Sequence, residues 1–144
     1  MARRVDKHRG YRAGMATRPA PFHIAPVIAV TDLARARAFY EDQLGLDGSA
    51  APGGGWVLTG DHGTVLNLLP DVADAGSASW PVATIRVDDV HEVVRTLRER
   101  GVSFLGPDDL PFDLDDDLVS VGQDGLEVAW MRDPDGSVLT VFSS

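Results

Sequence analysis

Val30-Thr31-Asp32-Leu33 is the stretch on which the fold turns, because it returns 57 residues later as Val87-Asp88-Asp89-Val90. A short apolar, β-branched run leads into each copy, residues 24–30 and 82–87. A helical pattern leaves each copy. Leu33, Ala36, Tyr40 and Leu44 recur at the spacing of one helix face, and Val90, Val93, Val94 and Leu97 do the same in the second copy. Asp32 and Asp89 are placed to cap these helices, since a short carboxylate accepts from the orphan amides of a first turn. Gly45 and Gly101 suit the left-handed position that ends a helix. Arg95, Arg98 and Arg100 complement the negative end of the second helix dipole.

Extended pieces follow each helix. Residues 56–59 and 64–69 flank Gly60-Asp61-His62-Gly63, and residues 126–132 and 137–142 flank Asp133-Pro134-Asp135-Gly136. Both four-residue inserts read as hairpin turns. Proline fixes φ at the second position of the later one, and Gly136 is free to take positive φ in a bulge. The chain is therefore one unit written twice, β-α-β-β with a further short strand in each half. Residues 71–79, rich in alanine, serine and glycine, link the halves. Residues 107–125 form a long acidic loop with a short strand expected near residues 119–121. A half of this kind covers one face of its sheet with its helix and leaves the other for a second half. The predicted fold is thus α+β: two tandem modules, about residues 22–70 and 80–142, with sheets forming a curved cup and helices outside. A cup of this kind is a natural small-molecule site.

Composition narrows the function. The chain has 144 residues, enough for one domain, and no cysteine, which removes disulfides and thiolate metal ligands and fits a cytoplasmic protein. No apolar run approaches the ~20 residues that cross a bilayer. The first 18 residues carry six cations against Asp6, a local charge of +5; the formal total is −9, so residues 19–144 carry −14. Residues 1–21 are read as a disordered basic leader, with Met15 a candidate true start. The acidic body argues against nucleic acid as a partner.

The motifs Val30-Thr31-Asp32-Leu33, Phe39-Tyr40, Leu44-Gly45-Leu46 and Ala129-Trp130-Met131-Arg132-Asp133-Pro134-Asp135-Gly136 resemble the vicinal-oxygen-chelate superfamily of glyoxalases, bleomycin-resistance proteins and extradiol dioxygenases. The resemblance spans roughly residues 22–142. It implies up to four His, Glu or Gln metal ligands inside the cup. Carried onto this chain, those positions fall on Ala25, Asn67, Val82 and Thr140. Alanine and valine cannot bind a cation, and neutral amide or hydroxyl oxygens are poor ligands for zinc, nickel or iron. No metal and no cofactor are expected. His23 points to the same side as Ala25 and stands at the cup rim. His62 falls in a turn and His91 in a first helical turn, so the three are not expected to converge. Glu127 is out of phase with Val128 and Trp130, which favours a salt bridge or exposure.

Strand alternation supplies the lining instead. With a bulge at Gly136, Trp130 stands across from Thr140 and Val128 beside Phe142. By resemblance, glyoxalases carry an aromatic at the place of Trp130. Ala25, Val27, Ala29, Val65, Asn67, Leu69, Trp80, Val82, Thr84 and Arg86 are expected to face inward, with Trp56 a wall or a strand-edge contact. Tryptophan stacks on planar ligands, although core packing is the competing role for all three. Asn67 orients a ligand or bonds to the backbone. Arg86 anchors an anionic group or ends a strand in solvent. The acidic loop attracts a cationic guest or is simply solvated, and Leu110 and Phe112 within it are placed to act as a lid.

The ligand-binding set is thus Trp130, Trp80, Asn67, Thr140, Phe142, Arg86, Val82, Ala25, Trp56 and His23, with no catalytic residue. The expected function is metal-free binding and sequestration of an aromatic or cationic antibiotic or metabolite. By resemblance such proteins are homodimers. The competing readings are a metal-independent lyase, isomerase or cyclase, with Asn67, Arg86 or His23 polarising a carbonyl, and a metal enzyme whose ligands lie elsewhere.

Overall fold

The computed structural model describes residues 16–144. The basic stretch 1–15, most of the expected leader, lies outside the described residues. The two halves repeat one plan. The first runs β1 (Val27–Ala29), α1 (Leu33–Arg37) continued by a π-helical turn (Ala38–Gln43), β2 (Asp47–Ala50), β3 (Trp56–Thr59) and β4 (Val65–Leu69). The second runs β5 (Pro81–Arg86), α2 (Val90–Glu99), β6 (Ser120–Val121), β7 (Glu127–Arg132) and β8 (Val138–Ser143). Each half forms a four-stranded sheet, in the orders β1-β4-β3-β2 and β5-β8-β7-β6. In each the first strand lies parallel to the last, and the remaining pairs are antiparallel.

The caps follow from the sequence. Asp32 accepts from the Arg35 amide and Asp89 from the Glu92 amide, each at 3.2 Å. Each such cap stabilises by about 1 kcal/mol. In α2 the buried residues are Val90, Val94 and Leu97, the anticipated face. The first helix departs from regular α geometry where Phe39 and Tyr40 adjoin. Both are buried, at 4% and 0% exposure. Neighbours in a regular helix point 100° apart. The wider i→i+5 turn, seen in the Leu44 amide donating to the Phe39 carbonyl at 2.9 Å, lets both rings enter the core. They meet edge to face at 4.8 Å and 89°.

One core serves both halves. Ile28, Leu58 and Leu68 from the first sheet join Met131, Leu139 and Val141 from the second, around Phe39, Tyr40 and Leu97. Burying each large aliphatic side chain contributes roughly 1.5–3 kcal/mol. Polar contacts fasten the same seam. The Tyr40 hydroxyl donates to Asp133 Oδ2 at 2.8 Å. Asp135 accepts from the Thr31 amide and hydroxyl at 3.1 and 2.6 Å and from Arg35 at 2.8 Å. Gln43 and Arg100 exchange hydrogen bonds with each other's carbonyls at 2.8 and 3.0 Å.

The turn at 133–136 is shaped for this role. Gly136 takes φ 93°, and Asp133 also accepts from the Asp135 and Ser137 amides at 3.0 and 2.9 Å. Burial raises the Asp133 pKa above the ordinary carboxylate value even though these three donors pull it down. Burial, and then the Asp133 charge, drive the Tyr40 phenol upward.

Candidate functional site

With the shared core on one side, each sheet keeps an opposite, open face. Register defines its occupants. In the first sheet Val27, Asn67 and Val57 stand side by side, with Ala29 beside Leu69 and Val65 beside Thr59. In the second sheet Thr84, Thr140 and Trp130 stand in the same relation, and Arg86, Phe142 and Val128 form the next row. The 57-residue offset thus maps Val27 onto Thr84, and the shared pairing maps Asn67 onto Thr140 and Val57 onto Trp130.

The second face is the more developed. Trp130 is half-buried and Thr140 is 8% exposed. The Thr140 hydroxyl donates to Thr84 Oγ1 at 2.8 Å, which ties the two strands together under the indole. Phe112, from the acidic loop, lies over Trp130 with centroids 5.4 Å apart and planes 15° apart. Phe142 is half-buried, while Arg86 is exposed. Arg86, Phe142, Thr140 and Trp130 therefore share one face.

The first face is barer. Val27, Val65 and Leu69 are 59%, 37% and 50% exposed. Asn67 is half-buried, and its backbone amide donates to Pro26 O at 3.0 Å. No buried side-chain polar atom among the described residues lacks a partner, so the Asn67 amide is not an orphan sealed in the core. Ala25 and His23 precede β1; Ala25 is half-buried and His23 is exposed.

Two other candidates, Trp56 and Val82, face the core, and a third, Trp80, lies outside the strands. Trp56 pairs with Leu68 and so faces the core side of the first sheet. Its Nε1 donates to Glu41 Oε2 at 3.0 Å, and the Arg37 guanidinium stacks 3.9 Å from the ring centroid. Arg37 also bonds Glu41 at 2.6 Å and holds that carboxylate below its usual pKa. A Cβ at Gly48 would collide with Trp56 and Glu41, so this packing requires glycine. Val82 lies at the bulge between Pro81 and Ala83 and packs against the core. Trp80 precedes β5 and is 64% exposed.

Three aspartates of the acidic loop shape its own turns. Asp109 caps the Gly106 amide, Asp124 the Leu126 amide, and Asp115 the amides of Asp117 and Val119. His91 and Glu127, expected to be separate from any site, meet each other and Asp115. His91 Nε2 is 2.7 Å from Asp115 and Nδ1 is 3.0 Å from Glu127. The sequence signal for this pair was the out-of-phase position of Glu127 beside a helix whose first turn carries histidine.

No group of three or more His, Asp or Glu among the described residues is arranged to hold a metal ion. At Ala25, Asn67, Val82 and Thr140, the places that the resemblance gives to metal ligands, the side chains are apolar or neutral and do not fit a transition metal. A separate cleft of ≈ 450 Å³ lies at the seam, lined by Phe39, Gln43, Ser103, Arg132 and the 133–136 turn. It contains none of the ten residues expected in the site. Its wall is the inter-half lock, whose Asp133 and Asp135 carboxylates are already engaged, so the open face around Trp130 is the better candidate.

Residues 21–141 match the profile of the Glyoxalase/Bleomycin resistance protein/Dioxygenase superfamily. The chain belongs to this superfamily. Solved structures show the same fold. A superfamily member from Sphaerobacter thermophilus aligns with a TM-score of 0.67 at 20% identity, covering 87% of this chain and 98% of its own. A glyoxalase/bleomycin resistance protein from Catenulispora acidiphila aligns at 0.63 and 22%, covering 86% and 99%. TnmS3, described as an antibiotic binding protein from a Streptomyces species, aligns at 0.59 and 23%, covering 86% and 98%. Compared with curated proteins, the chain has no significant match. Among the described residues, no helix of this superfamily member is long and apolar enough to cross a membrane.

Proposed function

We propose that this protein is a metal-independent binder of a small planar, preferentially cationic organic molecule, which it sequesters without making or breaking bonds. The observation that carries the reading is Trp130: a broad ring on the open face, backed by Thr140 and Thr84, flanked by Phe142, and already stacked by one flat group, Phe112. An aromatic face that accepts one ring is chemically suited to accept another. The neutral side chains at Ala25, Asn67, Val82 and Thr140 support binding without a Lewis acid. The charge of −14 over residues 19–144 favours a cation. The likeness in fold to an antibiotic binding protein is consistent with this reading.

The open apolar face of the first half supports a second proposal, that two copies associate. Val27, Val65 and Leu69 are exposed apolar side chains around Asn67 on one sheet face, and a second copy covering that face closes the cup from the other side.

The test is tryptophan fluorescence titration with proflavine (a planar cation), anthraquinone-2-sulfonate (a planar anion) and a non-planar amine, with and without chelator, followed by mass analysis of recovered compound. Saturable proflavine binding at micromolar affinity (roughly −8 kcal/mol), unaffected by chelator and with unaltered compound, is expected. Recovery of a chemically changed compound favours the lyase, isomerase or cyclase alternative, and loss of binding with chelator favours a metal enzyme.

A further inference from the structure

The segment from Gly106 to Val121 carries Phe112 to Trp130, and an ion cluster lies beside it, outside the site. His91, in the first turn of α2, has both ring nitrogens on carboxylates: Nε2 at 2.7 Å from Asp115 Oδ2 and Nδ1 at 3.0 Å from Glu127 Oε2. A neutral imidazole has one N–H and one lone pair. It can donate to one carboxylate, and it then turns its lone pair toward the other. Both contacts are attractive only when the ring is the imidazolium.

Asp115 organises the loop. Its Oδ1 accepts from the amides of Asp117 and Val119 at 3.0 Å each, and its own amide donates to Val119 O at 2.9 Å. Val119 is fully buried under α2 with Val90, Val94 and Ala129. Arg95, one turn beyond His91, reaches Asp117 at 3.4 Å. Three residues before Asp115, Phe112 lies on the indole of Trp130, half exposed. Centroids 5.4 Å apart leave no space for a third ring, since a ring sandwiched between two others needs about 7 Å, twice the ordinary carbon contact distance. Phe112 thus occupies the surface that a guest requires.

We propose that this segment is a proton-controlled lid: charged His91 clamps Asp115 and Glu127 and seats Phe112 on Trp130, and loss of the proton releases it. The proposal rests on the reading of Trp130 as the platform for the guest, and it names how access to that platform is regulated. The charges facing His91 are Asp115 and Asp117 from the loop and Glu127 from β7, with Asp89, Glu92 and Arg95 on or beside its own helix. The hydrogen bond to Asp115, opposed by partial burial, raises the His91 pKa above 6.5. The clamp is therefore complete below pH 6.5 and is lost as pH rises through that raised value. On the acid side the contact to Asp115 depends on that carboxyl. Burial alone would raise it, but the bonds from His91, Val119 and Asp117 bring it below 3.8, so the Asp115 contact is lost as pH falls through that lowered value.

The experiment is guest-free NMR on the full chain, following the His91 ring resonances and the nuclear Overhauser contact between the Phe112 ring and the Trp130 indole from pH 5.5 to 9. The expected result is a contact that weakens severalfold with the same midpoint as His91, above pH 6.5. In Asp115→Asn, which keeps a loop acceptor at that position, the midpoint falls. In His91→Gln the contact no longer depends on pH. A Phe112–Trp130 contact of equal strength at both ends of the range, or one that changes alike in wild type and His91→Gln, overturns the proposal. Because no guest is present, failure of proflavine to bind leaves this outcome readable on its own.

Discussion

The turn at 60–63 and the turn at 133–136 stand in equivalent places, seven residues before Asn67 and Thr140. In both, the first residue's amide donates to the carbonyl four residues on, Gly60 to Thr64 and Asp133 to Ser137, each at 2.9 Å. There the likeness ends. The second turn is anchored by the buried Asp133 and holds the halves together through Asp133 and Asp135. The first is exposed, with His62 at φ 57°. The open faces diverge in the same way. Val57 and Asn67 are found where the second half has Trp130 and Thr140. A duplicated unit needs its seam once, so one copy of each feature is committed to assembly and the other is free to vary.

The largest expected effect breaks the comparison of turns. Asp133→Ala leaves the Tyr40 hydroxyl and two backbone amides without their acceptor, and it should cost about 3 kcal/mol of stability in urea unfolding. Asp61→Ala, in the exposed turn, should stay within ~0.5 kcal/mol. Equal losses would mean that the second turn is no more committed than the first.

The next effect concerns the faces. Leu69 and Phe142 are equivalent, each in the row next to Asn67 or Thr140. If the first face is the one that a second copy covers, Leu69→Asp places carboxylates in an apolar contact and should weaken self-association on the order of a hundredfold. Sedimentation velocity over a range of concentrations reads this directly. A wild-type chain that sediments as a monomer throughout removes the proposed dimer.

Much of this architecture was legible in the residues. The 57-residue repeat and its flanking runs located both caps, both helices and seven of the eight strands, with β2 (Asp47–Ala50) expected but given no residues, because each depends on local chemistry: a carboxylate before an apolar period, a glycine after it, and alternation on either side of a turn. The bulge at Gly136 also fixed the register, so the pairing of Trp130 with Thr140 and Val128 with Phe142 was accessible. The π-helical turn was less so. Its signal was the adjacent pair Phe39-Tyr40, two large rings that both enter the core and would stand about 100° apart on a regular helix. The side on which Trp56 packs depends on its pairing with Leu68 and on Glu41 two elements away. The His91, Asp115 and Glu127 cluster depends on how a loop of nearly twenty residues folds back. Neither is encoded in a short window. In the candidate site, the face shared by Trp130, Thr140, Phe142 and Arg86 followed from alternation, whereas the seating of Phe112 required the loop's tertiary path.

The second face, and not the first, is proposed to carry the binding surface. Isothermal titration with proflavine at pH 9, where the lid is expected to be released, tests this in paired variants. Trp130→Ala should weaken binding at least tenfold while Val57→Ala, its counterpart in the first half, changes it less than twofold, with both proteins folded by circular dichroism. Equal affinity in wild type and Trp130→Ala, or an equal loss in both variants, would contradict it.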